Sequence, residues 1–544
     1  MYKDKHLDGN KKSLTKNIPW FTLGIIGLFL FSLILRFWEI SRFNTLVFDE
    51  VYNAKFANDF LNQTPFFDAH PPVEKYIIAI GIWLGNILPF GKDIVNNLTG
   101  SELSTFSYRW INALTGSFIP LVVAGIAYQL SYRRSYALIA GLFAAVDGLL
   151  LVESRYALNN IYLVIFGLLG QWLFLLALDR KYQRKKISNK LLRIFSAICF
   201  GVCIAVKWNG LGFLLGIYLI WIFGWVIQQF KLIPAAESDV EETEETQDTI
   251  LNPNECLSLR AKRSNRRNLE IASFHSVPLA MTNNNSCLQN LTRVNFKEFL
   301  FYWGVIPALV YYLAWIPYLL VYPESGFWEL HQKMSSFHTV LGDGQQVHQY
   351  CSRWYTWPWM IRPMAYFFAK VDGTSDSVSN LGFPVSVNPG ETIIFDVHGM
   401  GNPILYWLSS VAIILALGIL IYRIAGWLGS SRTANNQPLF SAQIAEFWIL
   451  LYVILNYAAN WLPWMKVSRC TFLYHYMSAS IFAFLCLAWI IEHWLRSYII
   501  FLRIAAITVI FAILQAFVFW LPIYLGLTLS EQEFYLRMWF QTWI

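Results

Sequence analysis

Long apolar runs recur along almost the whole chain, and no other feature limits its fold as strongly. About eleven of them approach the roughly 20 residues that a helix needs to cross the hydrocarbon core of a bilayer. With 56% hydrophobic and 14% charged residues, the 544-residue chain has more apolar surface than one soluble core could bury. The sequence therefore predicts an all-α polytopic membrane protein with spans near 18–38, 110–131, 136–152, 157–178, 191–206, 209–230, 299–322, 403–423, 444–462, 471–491 and 499–525.

The positive charges predict which side each gap between spans occupies. Lys and Arg cluster at the N-terminus, at Arg133 and Arg134, and in "DRKYQRKKISNKLLR", so that every second gap is basic. Basic gaps stay in the cytoplasm. We therefore expect residues 1–17 to form a cytoplasmic tail, the loops 39–109 and 323–402 to be external, and the C-terminus to be external. The first span lacks a small-residue cleavage site and is predicted to be a retained anchor.

One long polar segment divides the predicted spans into two regions. Residues 235–297 begin with "ESDVEETEETQD", change sign at "RAKRSNRR", and show no apolar periodicity. Such composition is typical of disorder. The sequence predicts an N-terminal transmembrane catalytic region at 18–234, a disordered cytoplasmic insertion at 235–297, and a C-terminal transmembrane region at 298–544.

Charge and cysteine patterns argue against nucleic-acid binding, a disulfide framework and a metal site. The net charge is +7, but the basic residues lie in short clusters between apolar runs, where lipid headgroups and topology account for them better than nucleic acid does. The seven cysteines are scattered and contain no CxxC pair. They predict neither a disulfide framework nor a zinc site. The external histidines His331, His338 and His348 lack the i, i+4 spacing of metal ligands and are predicted to be loop or acceptor-groove residues.

The acidic dipeptide Asp49-Glu50 is the main candidate for chemistry in the first external loop. Consecutive side chains point in different directions on a helix or a strand, so both carboxylates cannot easily reach one atom. We expect one of them to act on substrate and the other to hold the loop. An ordinary helix cap or solvated surface is the alternative for an isolated pair of this kind.

Cationic and imidazole groups lie near the same membrane face in the predicted topology. His70 heads "DAHPPVEKYIIAIG", whose prolines predict the start of a helix along the interface. Arg109 opens the second span and Lys207 closes the fifth. Ionisable groups at the membrane edge are functional candidates by default, although snorkelling to the headgroups is the simpler alternative for either residue alone.

Acids and cations on one external rim suit the transfer of a group from a lipid phosphate to a hydroxyl. A phosphate departs as a stable anion and needs nearby positive charge rather than a general acid. The incoming alcohol needs a base to accept its proton. One carboxylate with one or two cations is sufficient for both tasks.

Seven motifs in order resemble the bacterial protein O-mannosyltransferases. They are "FDEVYNAKFANDFLNQTPFFDAHPP", "YRWINALTG", "VDGLLLVESRYALNN", "CIAVKWNGL", "YCSRWYTWPWMIRPMAYFF", "NWLPWMKVSRCTFLYHYMSASIF" and "FYLRMWFQTWI". The resemblance implies a C-type glycosyltransferase fold in a bacterial plasma membrane, with an active site facing the periplasm or exterior. It also implies inverting transfer of mannose from a polyprenyl phosphate to Ser or Thr of unfolded or translocating secretory polypeptides. Membrane lipid and a secretion translocon are further expected partners.

The resemblance implies a role for several residues. Asp49 would be the base, Glu50 would shape the acceptor site, and Arg109 and Lys207 would bind the donor phosphate. It implies no cofactor and assigns no metal ligand. Six further residues lie in matching motifs as expected substrate-binding residues without individual roles: His70, Arg155, Arg353, Trp357, Arg469 and His475.

Two alternatives remain open at this point. A related transferase of the same fold would move a sugar to lipid A or to a cell-wall glycan. A transporter of the lipid-linked sugar is the other, but the chain shows no paired halves with interrupted helices. The eukaryotic relatives carry a β-trefoil-type module after the seventh span, whereas 323–402 has no trefoil repeat, so acceptor recognition is expected to depend on the membrane domain itself.

Overall fold

The computed structural model describes residues 19–87, 95–98, 101–179, 182, 186–229, 290–372, 391–430 and 441–544. These residues are mostly helical. The helices are α1 Trp20–Phe37, α2 Glu50–Leu61, α3 Val73–Ile87, α4 Thr105–Ser131, α5 Arg134–Ala145, α6 Gly148–Arg155, α7 Asn160–Leu178, α8 Lys186–Val206, α9 Leu211–Gln229, α10 Phe296–Leu300, α11 Ile306–Val321, α12 Phe327–Val340, α13 Pro403–Ser430, α14 Ser441–Trp461, α15 Met477–Leu495, α16 Ile500–Leu525 and α17 Glu531–Arg537. The strands are β1 Val95–Leu98, β2 Ser101–Ser104, β3 Met364–Asp372, β4 Thr392–Gly399 and β5 Leu529–Ser530.

The predicted spans correspond closely to these helices. Within the described ranges, 10 helices are long and apolar enough to cross a membrane, or up to 11 if the bent pair α5 and α6 counts as one span. That bent pair occupies the predicted span 136–152, and each other predicted span has its own helix. The protein is therefore a multi-pass membrane protein, as the apolar runs predicted. The side on which each terminus lies stays a prediction.

The break between α5 and α6 has an identifiable cause. The two helices meet at 58°, and Asp147 caps the second one by accepting a hydrogen bond from Leu150 N at 3.0 Å. The other carboxylate oxygen of Asp147 accepts from Asn402 N at 3.2 Å, just before α13. One side chain thus starts a new helix and ties it to the C-terminal half of the chain.

Two contacts fix the position of α6. A Cβ at Gly116 of α4 would come within 2.2 Å of Ser154 Cβ, so only glycine permits this approach of the two helices. At the end of α6, Arg155 donates to the carbonyls of Leu35 at 3.0 Å and Trp38 at 2.6 Å, where α1 ends and leaves its last carbonyls without helical partners. The backbone around residue 153 is consequently held on both sides.

The predicted external loop 323–402 contains regular structure that the sequence did not indicate. It includes α12 and the antiparallel strands β3 and β4, and β4 also pairs with β5 near the end of the chain. A disulfide joins Cys351 of this segment to Cys470, before α15. The prediction that the cysteines form no disulfide was therefore wrong, because pairing over a sequence separation of 119 leaves no local spacing signal.

The predicted polar segments are only partly described. The tail at 1–17 and residues 235–289 of the predicted insertion lie outside the described residues. Residues 290–297 were predicted to be disordered, but Asn290 is buried and donates to the carbonyl of Leu178 at 2.9 Å, and α10 begins at Phe296. The structured C-terminal region thus begins earlier than the sequence predicted.

Candidate active site

Asp49 and Glu50 are neighbours in sequence but occupy different environments. Glu50 is fully buried at the start of α2. Its carboxylate oxygens accept hydrogen bonds from the backbone N–H groups of Val47 at 2.8 Å and Ala157 at 2.9 Å, and from Arg109. Both carboxylate oxygens of Glu50 are thus occupied by hydrogen bonds within the protein. Glu50 is therefore placed to hold the loop rather than to meet a substrate.

Arg109 occupies the other side of this ion pair. Its Nε and Nη2 donate to Glu50 at 2.8 and 2.7 Å. Its remaining donors reach the carbonyls of Ile40 at 3.1 Å, Phe43 at 2.9 Å and Thr45 at 2.7 Å. A guanidinium has five N–H donors, and all five are engaged here. The geometry thus argues against the predicted contact of Arg109 with the donor phosphate.

The Asp49 side chain forms no such hydrogen bonds with the described residues. Asp49 precedes α2, and its backbone carbonyl accepts from Tyr52 N at 3.0 Å and Asn53 N at 2.9 Å. Its carboxylate is half-buried and accepts no hydrogen bond from the described part of the chain. Burial raises the pKa of Asp49 to about 6, and the positive charge of Lys207 opposes that rise. At neutral pH the carboxylate is ionised and able to accept a proton.

Lys207 is the cation that acts most strongly on Asp49. It lies in the short break between α8 and α9. Its Nζ donates to Asn160 Oδ1 at 3.2 Å and lies 5.1 Å from the centre of the Tyr474 ring. Burial lowers the pKa of Lys207 to about 8, against the opposing effect of the Asp49 and Glu153 carboxylates. An ammonium this weakly solvated gains strongly from an anionic ligand.

Lys207 lines a cavity of about 1150 Å³ that has two chemically different ends. The apolar end runs between α9 and α11 and is lined by leucines 211, 214, 215 and 219, Pro307 and Ala308. Leu211 and Leu215 are exposed, so this end of the cavity presents apolar surface that no other described side chain covers. The polar end is lined by His70, Lys207, His338, Lys466, Ser468 and Arg469. The shape suits an amphiphile with an anionic head and a long apolar tail.

His70 lies at this polar end, where the loop before α3 meets α12. Its backbone N–H donates to Asp68 Oδ1 at 3.2 Å, and Asp68 also forms an ion pair with the buried Lys75. The ring of His70 lies 5.7 Å from that of His338, which faces the carbonyl of Ala69. Burial, together with the charges of Lys207 and Lys75, lowers the pKa of His70 well below its usual value. His70 is therefore neutral at physiological pH.

The other predicted substrate-binding residues divide into three groups. Arg155 and Trp357 are buried and bonded within the protein, Arg155 to the end of α1 and Trp357 Nε1 to Ser352 Oγ at 2.9 Å. His475 is also buried and packs 5.9 Å from the Trp357 ring. Arg353 is exposed and pairs with Asp343 at 2.8 Å. Arg469 alone among these five lines the cavity, with Nη1 donating to the carbonyl of Cys470 at 3.0 Å.

Several residues of the site were missed from the sequence. Lys466 and Ser468 line the cavity, and Tyr474 lies beside Lys207. All three belong to the quoted motif "NWLPWMKVSRCTFLYHYMSASIF", which was the signal that could have found them. Among the described residues, no group of three or more His, Cys, Asp or Glu side chains is arranged to hold a metal ion.

Two family models match the sequence of this chain, and a solved structure has a similar fold. A family model described as dolichyl-phosphate-mannose-protein mannosyltransferase matches residues 26–238, and one described as the C-terminal four-TMM region of protein-O-mannosyltransferase matches residues 323–543. Between them the two models cover most of the chain. The structure also superimposes on the S. cerevisiae protein O-mannosyltransferase Pmt1-Pmt2 complex bound to the sugar donor, with a TM-score of 0.68 and 13% identity over 97% of this chain and 93% of that one. At that identity the likeness shows the fold alone.

Curated relatives align over shorter segments. Protein O-mannosyl-transferase 1 of Rattus norvegicus is 29% identical over 153 residues, which are 27% of this chain and 20% of that protein. The polyprenol-phosphate-mannose–protein mannosyltransferase of Mycolicibacterium smegmatis is 31% identical over 196 residues, which are 31% of this chain and 34% of that protein. The alignments thus span about a third of these relatives or less. The family models and the fold agree with the motifs, and the chain belongs to the protein O-mannosyltransferase family.

Proposed function

We propose that the protein transfers mannose from a polyprenyl phosphate to Ser or Thr hydroxyls of exported polypeptides. One observation carries the proposal: the Asp49 carboxylate, which accepts no hydrogen bond from the described residues, feels the positive charge of Lys207, and Lys207 lines the polar end of a cavity whose other end is apolar. A base, a phosphate-binding cation and a lipid groove are the three parts that the reaction needs. Membership of the family supports the identity of the sugar and of the acceptor.

The cavity accounts for binding of the donor. The polyprenyl chain lies along the leucines of α9 and the small residues of α11, and the phosphate lies at the polar end. There Lys207 and Arg469 provide the positive charge that the sequence had assigned to Lys207 and Arg109. Because Lys207 is buried, its interaction with an anion is stronger than it would be in solution.

The reaction follows from the two ionisable groups. Asp49 accepts the proton of the acceptor hydroxyl as its oxygen attacks the anomeric carbon of mannose. The phosphate oxygen leaves from the opposite face of that carbon, so the configuration inverts. The lipid phosphate takes the electron pair and leaves as an anion, which Lys207 and Arg469 stabilise. Glu50 and Arg109 take no part in the chemistry and hold the loop that carries Asp49.

The acceptor would enter from the external side of a bacterial plasma membrane. The distribution of Lys and Arg supports this orientation. The Cys351–Cys470 disulfide supports it independently, since it joins two segments predicted to be external and disulfides persist in oxidising compartments. Unfolded or translocating polypeptides are the expected acceptors, delivered by a secretion translocon.

A direct test uses the purified protein in lipid nanodiscs with labelled polyprenyl-phosphate mannose and a Ser/Thr-rich peptide. We expect one hexose on a peptide hydroxyl, with the anomeric configuration opposite to that of the donor. Mass spectrometry of exported proteins from a deletion strain provides the cellular test. Lost hexoses on Ser or Thr would support the proposal, whereas unchanged peptides with an altered lipid or cell-wall glycan would reject it.

A further inference from the structure

Glu153 is a buried carboxylate beside the active site to which neither the motifs nor the mechanism above give a role. It lies near the end of α6 and is fully buried. Both of its oxygens accept from Asn160 Nδ2 at 3.2 Å, and one accepts from the hydroxyl of Tyr366 at 2.5 Å. In the described part of the chain it forms no ion pair within 4.0 Å. A charge buried without a direct counter-ion is costly and needs a reason for its presence.

One side of this network leads to Lys207. The amide of Asn160 faces both groups: its Nδ2 donates to Glu153, and its Oδ1 accepts from Lys207 Nζ at 3.2 Å. Asn160 is buried, so little water competes for either bond. The negative charge of Glu153 therefore acts on Lys207 through a single bridging side chain, which also fixes the direction of the ammonium.

The other side leads to the loop that carries Asp49. Tyr366 is the extra residue of a β-bulge in β3, since Ala365 pairs with His398 and Phe367 pairs with Val397. Bulges re-aim a side chain. The Tyr366 ring stacks on Phe48 with their centres 4.4 Å apart.

Phe48 immediately precedes Asp49 and has a strained backbone. Its φ is +51°, which is uncommon for a residue other than glycine. Such a conformation persists only where surrounding contacts impose it. The stacked Tyr366 ring, anchored by Glu153, is one such contact.

We propose that Glu153 is a positioning residue of the transfer reaction, which holds Lys207 through Asn160 and holds the Asp49 loop through Tyr366 and Phe48. The inference rests on the proposed function. In the proposed reaction, Glu153 contacts neither the lipid donor nor the acceptor peptide. Its effect is to keep the Lys207 ammonium protonated and to fix its position relative to the Asp49 carboxylate.

A test must separate the effect of Glu153 on Lys207 from the effects of the other charged groups nearby. Asp49, Glu74 and Glu153 favour its charged form, and Arg469 disfavours it. The imidazoles of His70, His338 and His475 also lie within range of the Lys207 charge. Of the three carboxylates, only Glu153 is joined to Lys207 through one bridging side chain, and Glu153→Gln removes its charge while keeping a similar shape.

The experiment measures, as a function of pH, donor binding and transfer for the reconstituted wild type, Glu153→Gln, Glu153→Asp and Tyr366→Phe. Glu531→Gln is the matched control, because it removes a carboxylate that pairs with Lys370 of β3 at 3.1 Å on the exposed surface. Binding is measured with polyprenyl-phosphate mannose in the absence of acceptor, whose phosphodiester does not titrate over this range, and turnover is measured after addition of a Ser/Thr-rich peptide. Donor affinity of the wild type should fall above about pH 8 as Lys207 loses its proton.

In Glu153→Gln this alkaline fall should move to lower pH by about one pH unit, as expected for two charges one side chain apart. The turnover number should drop about 10- to 100-fold because the reacting groups are misplaced. Glu153→Asp should restore the position of the alkaline fall. Tyr366→Phe should lower turnover without moving that fall, and Glu531→Gln should match the wild type.

Two outcomes would overturn the inference, and they differ in what they say about the proposed function. An alkaline fall that stays in place in Glu153→Gln, with or without lost turnover, overturns the inference, since a merely structural residue would not move it. The position of the fall does not depend on how much protein folds, so poor folding does not obscure it. If the wild type neither binds the donor nor transfers its sugar, the proposed function itself is rejected, and the inference with it.

Discussion

Arg109 and Glu50 form a buried ion pair in which two guanidinium nitrogens donate to the two carboxylate oxygens at 2.8 and 2.7 Å. The remaining Arg109 donors bind three backbone carbonyls between Ile40 and Thr45. The pair thus joins α4 to the loop between α1 and α2. It explains how a loop with a free carboxylate at Asp49 keeps a fixed position.

Arg109→Ala should destabilise the protein strongly, because it leaves Glu50 charged and buried without its partner. We expect a loss of about 3–5 kcal/mol, measured as a lower unfolding temperature in detergent. Donor affinity of the folded fraction should change little. A variant with normal stability and weak donor binding would contradict this account and restore the phosphate contact predicted from the sequence.

The raised pKa of Asp49 makes a prediction about stability. Its pKa in the folded protein is about 6, against an ordinary value of 3.8. The folded state therefore binds this proton more tightly than the unfolded state does, and its stability falls as pH rises from about 4 to about 6. Above that range the cost of the buried charge is constant.

Asp49→Asn should accordingly be more stable than the wild type at pH 7. We expect a gain of about 1–2 kcal/mol, after allowance for the water that reaches this partly buried carboxylate. The gain should vanish below about pH 4. Thermal unfolding of both proteins at pH 4 and pH 7 measures it, and a less stable variant at pH 7 would show that Asp49 supports the fold.

The same group sets the acid limit of activity. Transfer needs ionised Asp49, so kcat/KM for the acceptor peptide should fall as pH drops below about 6. Initial rates between pH 5 and pH 8 test this. A rate that stays constant down to pH 5 would exclude a base with this pKa.

The Cys351–Cys470 disulfide joins the external segment before β3 to the segment that carries Arg469. The double variant Cys351→Ser and Cys470→Ser should lose about 2–5 kcal/mol of stability, because the reduced chain gains conformational entropy on unfolding. Thermal unfolding with and without reductant measures the loss. Reductant should not affect the double variant. Free thiols at both positions in protein purified without reductant would contradict the pairing.

The sequence indicated the membrane spans well because a long apolar run has few alternative explanations. It also singled out Asp49, from an acidic dipeptide in the first external loop, and Lys207, from a cation at the end of the fifth span, and their catalytic roles stay proposals. Arg109 shows the limit of this reasoning. An arginine at the edge of a span has the same local sequence whether it meets a phosphate or a buried carboxylate such as Glu50.

Other parts of the site depend on long-range pairing, which no local pattern reports. Tyr366 reaches Glu153 across 213 positions of the sequence, and Cys351 meets Cys470 across 119. Glu153 itself is an ordinary acidic residue near a helix end. Its burial becomes visible only when α6, β3 and the loop before α2 are seen together.

The most direct measurement of the central claim is the initial rate of mannose transfer by the reconstituted protein and by Asp49→Asn, with labelled polyprenyl-phosphate mannose and a Ser/Thr peptide at pH 7. Removing a general base should lower the turnover number about 10²- to 10⁴-fold, while the donor still binds and the variant stays folded. Near-normal turnover in Asp49→Asn would contradict the assignment of Asp49 as the base.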